Sequence, residues 1–160
     1  MSQVTRLGQG AYWQDLHIGQ RFDTYSRTIT ETDLVNFISC TGMLEAIFID
    51  AHFDDGAIAG RPVPGALTYT LIEGLILQSM IQGTGLAMLE LTQKMHAPVC
   101  VADTIHAEIE VTAIRPTSKH NRAVVDSHIS VFNQHQQLVM DYTARRLLAG
   151  RPDNPAAPTL

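Results

Sequence analysis

The chain has 160 residues, 45% of them hydrophobic and 17% charged, a balance that suits one globular domain with a substantial core. A net charge of −5, with no basic run longer than Arg145-Arg146, argues against non-specific nucleic-acid binding. Two cysteines, Cys40 and Cys100, make neither a disulfide framework nor a CxxC metal pair, and the first residues, MSQVTRLGQGAYW, carry no apolar signal core. A cytoplasmic, reduced protein with no membrane attachment is therefore expected.

In chain order, Tyr12 to Gln20 reads as an irregular entry segment turning at Gly19. Arg21 to Ile29, with Phe22, Tyr25, Thr28 and Ile29, reads as a first strand. Thr30-Glu31-Thr32-Asp33 has the form of a helix start, Thr30 capping and acids filling the first turn. Leu34, Val35, Phe37 and Ile38 give this helix an apolar face, and Gly42 ends it. Met43 to Asp55 is ambiguous, with Ala46 to Ile49 open to either a short strand or a buried turn.

Gly60-Arg61-Pro62-Val63-Pro64-Gly65 is a rigid turn, two prolines fixing φ and two glycines permitting conformations closed to other residues. From Ala66 to about Gln82 the chain is apolar on nearly every face, free of Lys and Arg, and interrupted by Glu73. At roughly 17 residues it is short for a membrane span and reads as a helix buried on all sides, ended by Gly83-Thr84-Gly85. Its first N–H groups, near Gly65, lack intrahelical partners and are placed to bind an anion or polarise a carbonyl.

Beyond that helix the apolar period changes to two. Leu86–Met95, Thr104–Thr112, Ala123–Phe132 and Gln137–Leu148 read as successive antiparallel strands; Ile105, Ala107, Ile109 and Val111 share one face of the second. Strands segregated from helices imply an α+β fold, a strongly curved sheet wrapped around one apolar helix, which is the hot-dog architecture. The organisation expected is a single domain over 1–148 and a Pro-rich tail, 149–160, without order.

Over Tyr12 to Leu148 the residues resemble the MaoC-like hot-dog dehydratases, the (R)-specific enoyl-CoA hydratase-like family. Asp15-Leu-x-Ile-Gly-Gln-Arg-Phe22 is similar to the family's opening, and Thr30-Glu-Thr-Asp33 with Val35-x-Phe37 and Thr41-Gly42 to the helix before its active-site loop. Gly60-Arg61-x-x-Pro64-Gly65 resembles the turn before its central helix, and Ala97-Pro98-Val99 with Asp103-Thr104 the entry to its third strand. The resemblance implies an acyl-CoA (enoyl-CoA) hydratase/dehydratase. Coenzyme A thioester would be its substrate, with no cofactor or metal, and it would form a homodimer or a multiple of one.

The departures fall on the chemistry. The family's loop reads Gly-Asp-x-Asn-Pro-x-His, its Asp and His holding one water between them. Counted from Gly42, Met43 stands at the Asp position and Phe48 at the His position, while Pro64 replaces the His of the helix turn. A register that brings His52 to the His position strands Gly42. Hydration of an enoyl thioester needs a base for water, an acid for the α-carbon and donors for the enolate oxygen. Thioether and phenyl groups do neither proton task, whereas the backbone N–H donors that follow the Pro64-Gly65 turn need no side chain. Arg61, Pro64, Gly65, Ala66, Met43 and Phe48 are thus the expected substrate-binding residues, with core packing the plain reading of Met43, Phe48 and Met80.

Glu73 and Glu45 are the candidate catalytic groups. In related hot-dog thioesterases an acid at the Glu73 spacing activates water or attacks the thioester, and burial would raise its pKa; the alternative is a structural, hydrogen-bonded carboxylate. A single chain keeps Glu73 about 12 Å of helix rise from Gly65, so a second copy would have to bring the two together. Glu45 stands in for the missing Asp or is a solvated loop acid. His52, near Asp50, Asp54 and Asp55, suggests a solvated face rather than a metal site. His96 and His106 fall on strands with no role required, and Arg115 to Arg122 reads as a hairpin loop whose cations face solvent or CoA phosphates. Two alternatives to hydration stand: thioester hydrolysis by Glu73, and a non-catalytic acyl-CoA-binding or scaffold subunit.

Overall fold

A computed structural model describes residues 4–53 and 57–152. Two short strands, β1 (Arg21–Asp23) and β2 (Arg27–Thr28), precede helix α1 (Glu31–Thr41) and the single turn α2 (Ala46–Ile49). Helix α3 (Gly65–Leu77) follows, then strands β3 (Gly85–Met95), β4 (Thr104–Pro116), β5 (Arg122–Phe132) and β6 (Leu138–Ala149). The sheet is antiparallel in the order β1-β4-β5-β6-β3, with β2 also paired to β4. The α+β hot-dog arrangement expected from the sequence is the one formed.

Local chemistry explains the boundaries. Thr30 Oγ1 accepts from the Asp33 N–H (3.1 Å) and Asp33 Oδ2 from the Thr30 N–H (2.9 Å), a reciprocal cap worth about 1 kcal/mol. Gly42 closes α1 at φ 75°, a left-handed conformation costly for any residue with a Cβ. The expected strand from Arg21 to Ile29 is instead broken between β1 and β2. There the Thr24 hydroxyl accepts from the Ala107 N–H (2.9 Å), taking the place of a backbone rung. Ala46 to Ile49 is a helical turn capped by Glu45, whose carboxylate accepts from the Ala46 N–H (3.0 Å).

Alternation along the long strands sets the core. On β4, Ile105, Ala107, Ile109 and Val111 are buried, and Ile129 and Val131 on β5 and Tyr142, Ala144 and Leu148 on β6 share their face. Helix α3 lies across this face. Its residues Leu67, Thr68, Ile72, Glu73 and Ile76 are buried, and Tyr69 meets Tyr142 edge to face at 5.3 Å. Ile72 and Ile76, essentially without solvent contact, each contribute about 1.5–3 kcal/mol by burial.

Helix α3 departs from expectation in two ways. It stops at Leu77 rather than near Gln82, because the Ser79 and Ile81 N–H groups both turn to the Ile76 carbonyl (3.3 Å each) and leave the helical ladder, and the chain then turns through Gly83 at φ 74°. Nor is it covered on every side within one chain: Thr70 is exposed and Leu77 retains 49% of its surface. The same open side continues onto β3, the terminal strand of the sheet, where Leu86, Met88 and Leu89 are exposed.

Ala149, which the expected tail included, belongs to β6. The Gly150 N–H bonds the Asn121 carbonyl (2.7 Å), and the Arg151 N–H bonds Gln14 Oε1 (2.9 Å). Residues 153–160 of that expectation lie outside the described residues. The expected 115–122 loop is shorter as well: β4 runs to Pro116 and β5 starts at Arg122. Arg115 is not a free loop cation but binds Asp126 at 2.9 and 3.0 Å. Among the described residues no helix is long and apolar enough to cross a membrane.

Candidate functional site

The start of α3 is built by the turn before it. Pro62 bridges to Cys100, and the Val63 N–H bonds the Val99 carbonyl (2.9 Å), which pins the turn to the strand entry opposite. Pro64 stands at the N-cap and offers no side chain to cap with. Its carbonyl accepts from the Leu67 N–H (2.9 Å) and the Thr68 N–H (3.4 Å), leaving the N–H groups of Gly65 and Ala66 at the positive end of a 13-residue helix.

A cleft of about 360 Å³ opens at this helix start, lined by Phe48, Val63, Gly65, Thr68, Met95 and Met140 among others. Its wall is mostly apolar. A Cβ on Gly65 would come within 2.8 Å of Met95 Cε, so glycine lets the strand side chain close over the helix start. Thr68, only 1% exposed, contributes a hydroxyl with no hydrogen-bond partner. His96 borders the cleft, yet its Nε2 lies 3.2 Å from Asp141 Oδ2. Asp141 falls between the inward Met140 and Tyr142, and so belongs to the sheet face turned away from α3. The chemistry this cleft offers is therefore apolar enclosure with backbone and hydroxyl donors at one end.

A second cleft, of about 440 Å³, lies further along α3, bordered by Tyr69, Glu73, Leu77, Leu86, Met88 and Arg146. Here Glu73 Oε1 accepts from Arg146 Nη2 at 2.5 Å and from the Tyr142 hydroxyl at 2.7 Å. Both members of the ion pair are buried. Burial, reinforced by the Glu73 charge, pushes the Tyr142 phenol far up, so it stays a neutral donor.

The expected site residues thus divide. Gly65 and Phe48 meet in the first cleft, with Pro64 and Ala66 forming the helix start beside them. Met43 is 42% exposed and not part of the cleft wall. Arg61 makes a forked pair with Glu31 (2.8 and 3.2 Å), which holds the Glu31 carboxyl below its usual range. Glu45 is an exposed cap of α2. Glu73 is in the second cleft, apart from Gly65, as its helix spacing required. Asp54 and Asp55, beside His52, lie outside the described residues; among the described residues no three His, Cys, Asp or Glu side chains gather as a metal would need.

Thr68, Met95, Tyr142 and Arg146 were not singled out from the sequence. Arg146 did leave a signal, being a cation at an inward position of a strand whose neighbours there are Tyr142, Ala144 and Leu148.

Comparison with known proteins agrees with this architecture. A family model described as FAS1-like, dehydratase domain region, matches residues 16–142. The R-hydratase PhaJ1 of Pseudomonas aeruginosa is 25% identical over 95% of this chain and 96% of its own, with a TM-score of 0.75. A MaoC-like dehydratase of Rhodospirillum rubrum is 22% identical over 89% of this chain and 99% of its own, with a TM-score of 0.79. A Mycobacterium tuberculosis protein with a double hot-dog fold is 21% identical; 97% of this chain covers 48% of that one, with a TM-score of 0.78. No curated protein matches the chain.

Proposed function

Since the chain belongs to the FAS1-like dehydratase-region family and has the hot-dog fold of MaoC-like dehydratases and R-hydratases, we propose that it binds an acyl thioester of coenzyme A with its carbonyl at the start of α3. The observation that carries this reading is the uncapped Gly65–Ala66 helix start at the mouth of an apolar cleft. Partial positive charge at one end receives a carbonyl oxygen, and the apolar wall receives an acyl chain. Phe48 in that wall packs against the chain, where the family's His would handle water.

Hydration is expected to be slow in this protein. Neither Phe48 nor the exposed Met43 moves a proton, and a positioned acid or base is worth ~10²–10⁴-fold. Hydrolysis by Glu73 has less support than binding alone, because Arg146 and Tyr142 already donate to its carboxylate, which borders the second cleft rather than the helix start. The open face of α3 and β3 is best covered by a second copy, the sheets running on through β3.

Calorimetric titration with acyl-CoAs of increasing chain length tests the reading, together with a crotonyl-CoA hydration assay. Saturating binding with little or no hydration is expected. The pair Met43→Asp/Phe48→His should raise hydration by up to ~10²-fold, most of it through Phe48→His, whose side chain reaches the cleft. Brisk hydration by the unaltered protein would overturn the lost-dyad assignment, and failure to bind any acyl-CoA would overturn the thioester site itself.

A further inference from the structure

The Thr68 hydroxyl is buried and unpartnered, and it borders the cleft at the start of α3. Thr84, also buried and unpartnered, does not border that cleft, and three other hydroxyls on or just beyond the helices find a backbone carbonyl. Thr41 Oγ1 donates to the Phe37 carbonyl (2.7 Å), Thr70 Oγ1 to the Leu67 carbonyl (3.0 Å) and Ser79 Oγ to the Leu75 carbonyl (2.5 Å). The carbonyl one turn before Thr68 belongs to Pro64 and already receives two N–H groups. A buried hydroxyl without a partner is destabilising, and valine would fill the same volume without that penalty. Helix side chains lean toward the N-terminus, so a residue three positions after Gly65 overlies the turn that carries the free N–H groups.

We propose that Thr68 is a substrate-binding residue whose hydroxyl donates a hydrogen bond to the thioester carbonyl oxygen held at Gly65 and Ala66. A carbonyl oxygen has two lone pairs, one for the helix N–H groups and one for the hydroxyl. Met95, Phe48, Val63 and Met140 offer this hydroxyl no strong acceptor, and the Nε2 of His96 is turned to Asp141. The ligand's carbonyl is thus the partner that the fold withholds. The same contact sets selectivity: an acyl ligand is favoured for its carbonyl rather than for its chain alone, because only the carbonyl relieves the buried hydroxyl.

This inference rests on the acyl-thioester reading, and the test separates the two. Calorimetric titration compares one saturated acyl-CoA with its thioether analogue, in which a methylene replaces the carbonyl, in the unaltered protein, Thr68→Val and Thr68→Ser. The unaltered protein should prefer the thioester. Thr68→Val should weaken thioester binding about tenfold and leave thioether binding unchanged, while Thr68→Ser retains the preference. Because Thr68→Val removes an unsatisfied buried group, its melting temperature without ligand should equal or exceed that of the unaltered protein. Should the valine form fail to fold, Thr68→Ala reads the same ligand difference. Equal weakening of both ligands, or of neither, overturns the role of Thr68. Equal affinity of the unaltered protein for thioester and thioether also overturns it, while binding of neither ligand overturns the acyl-thioester reading and this inference with it.

Discussion

The two clefts along α3 are opposites. The one at the helix start holds uncapped N–H groups and a free hydroxyl in apolar surroundings, with no acid among the described residues of its wall. The one further along holds a guanidinium and a phenol that both donate to one carboxylate oxygen, Glu73 Oε1. Donors without a partner are poised for a ligand, whereas charges already paired hold the helix to the sheet. Burial alone therefore does not mark a site, and neither does an unpartnered group alone, since Thr84 Oγ1 and Arg61 Nη1 are buried without partners outside the cleft at the helix start; unmet hydrogen-bonding capacity on an apolar cleft wall does.

The largest expected effect breaks the paired cleft. Glu73→Ala leaves Arg146 buried and unpaired and should cost about 3–5 kcal/mol in urea unfolding at neutral pH. The double change Glu73→Leu/Arg146→Met should recover most of that loss, since it removes both charges at once. A double variant no better than Glu73→Ala alone would show that the pair does more than join helix to sheet. Acyl-CoA affinity of the folded double variant should be close to that of the unaltered protein, which keeps the two clefts functionally separate.

A smaller effect concerns what covers the second cleft. Met88, on the free strand β3, is 39% exposed and borders that cleft. If a second copy packs there, Met88→Lys should weaken self-association by about 2 kcal/mol, roughly 30-fold, in sedimentation or light-scattering measurements. A stable monomer of the unaltered protein at micromolar concentration would remove the second copy from the account.

The smallest effect is a control on the sheet face turned away from α3. Asp126 is held below the usual carboxylate range, first by hydrogen bonds from Arg145 and then, against the opposing effect of burial, by Arg115. Its stabilisation is complete above the unfolded carboxyl pKa of about 3.9 and is lost as pH falls through the lower folded value. Asp126→Asn should lower stability by about 1 kcal/mol or less near pH 6, with the gap to the unaltered protein closing below about pH 4. A pH-independent gap would show that packing rather than charge is lost.

Much of this molecule is local and therefore legible. Alternation on β4 placed Ile105, Ala107, Ile109 and Val111 on one face, because a pleated strand buries every second side chain. Thr30 and Asp33 announced the start of α1, and Gly42 its end, since caps depend on the few residues beside them. The Pro64-Gly65 turn likewise identified the uncapped helix start, a backbone property that no side chain has to confirm.

What remained hidden depends on partners distant in the chain. The carboxylate of Glu73 met Arg146 and Tyr142 across 73 and 69 residues, so its environment was a product of how α3 lies on β6. Arg61 was drawn to Glu31, and Met43 turned to solvent while Phe48 reached the cleft, because the loop around α2 sets directions that position counting does not. Thr68 carries no sequence signal that sets it apart within an apolar helix. Its free hydroxyl acquired meaning only when the Pro64 carbonyl was taken and the surrounding side chains proved apolar. Spacing and periodicity determined which elements form and where the helix begins; only the packing of that helix decided which polar groups are satisfied and which await a ligand.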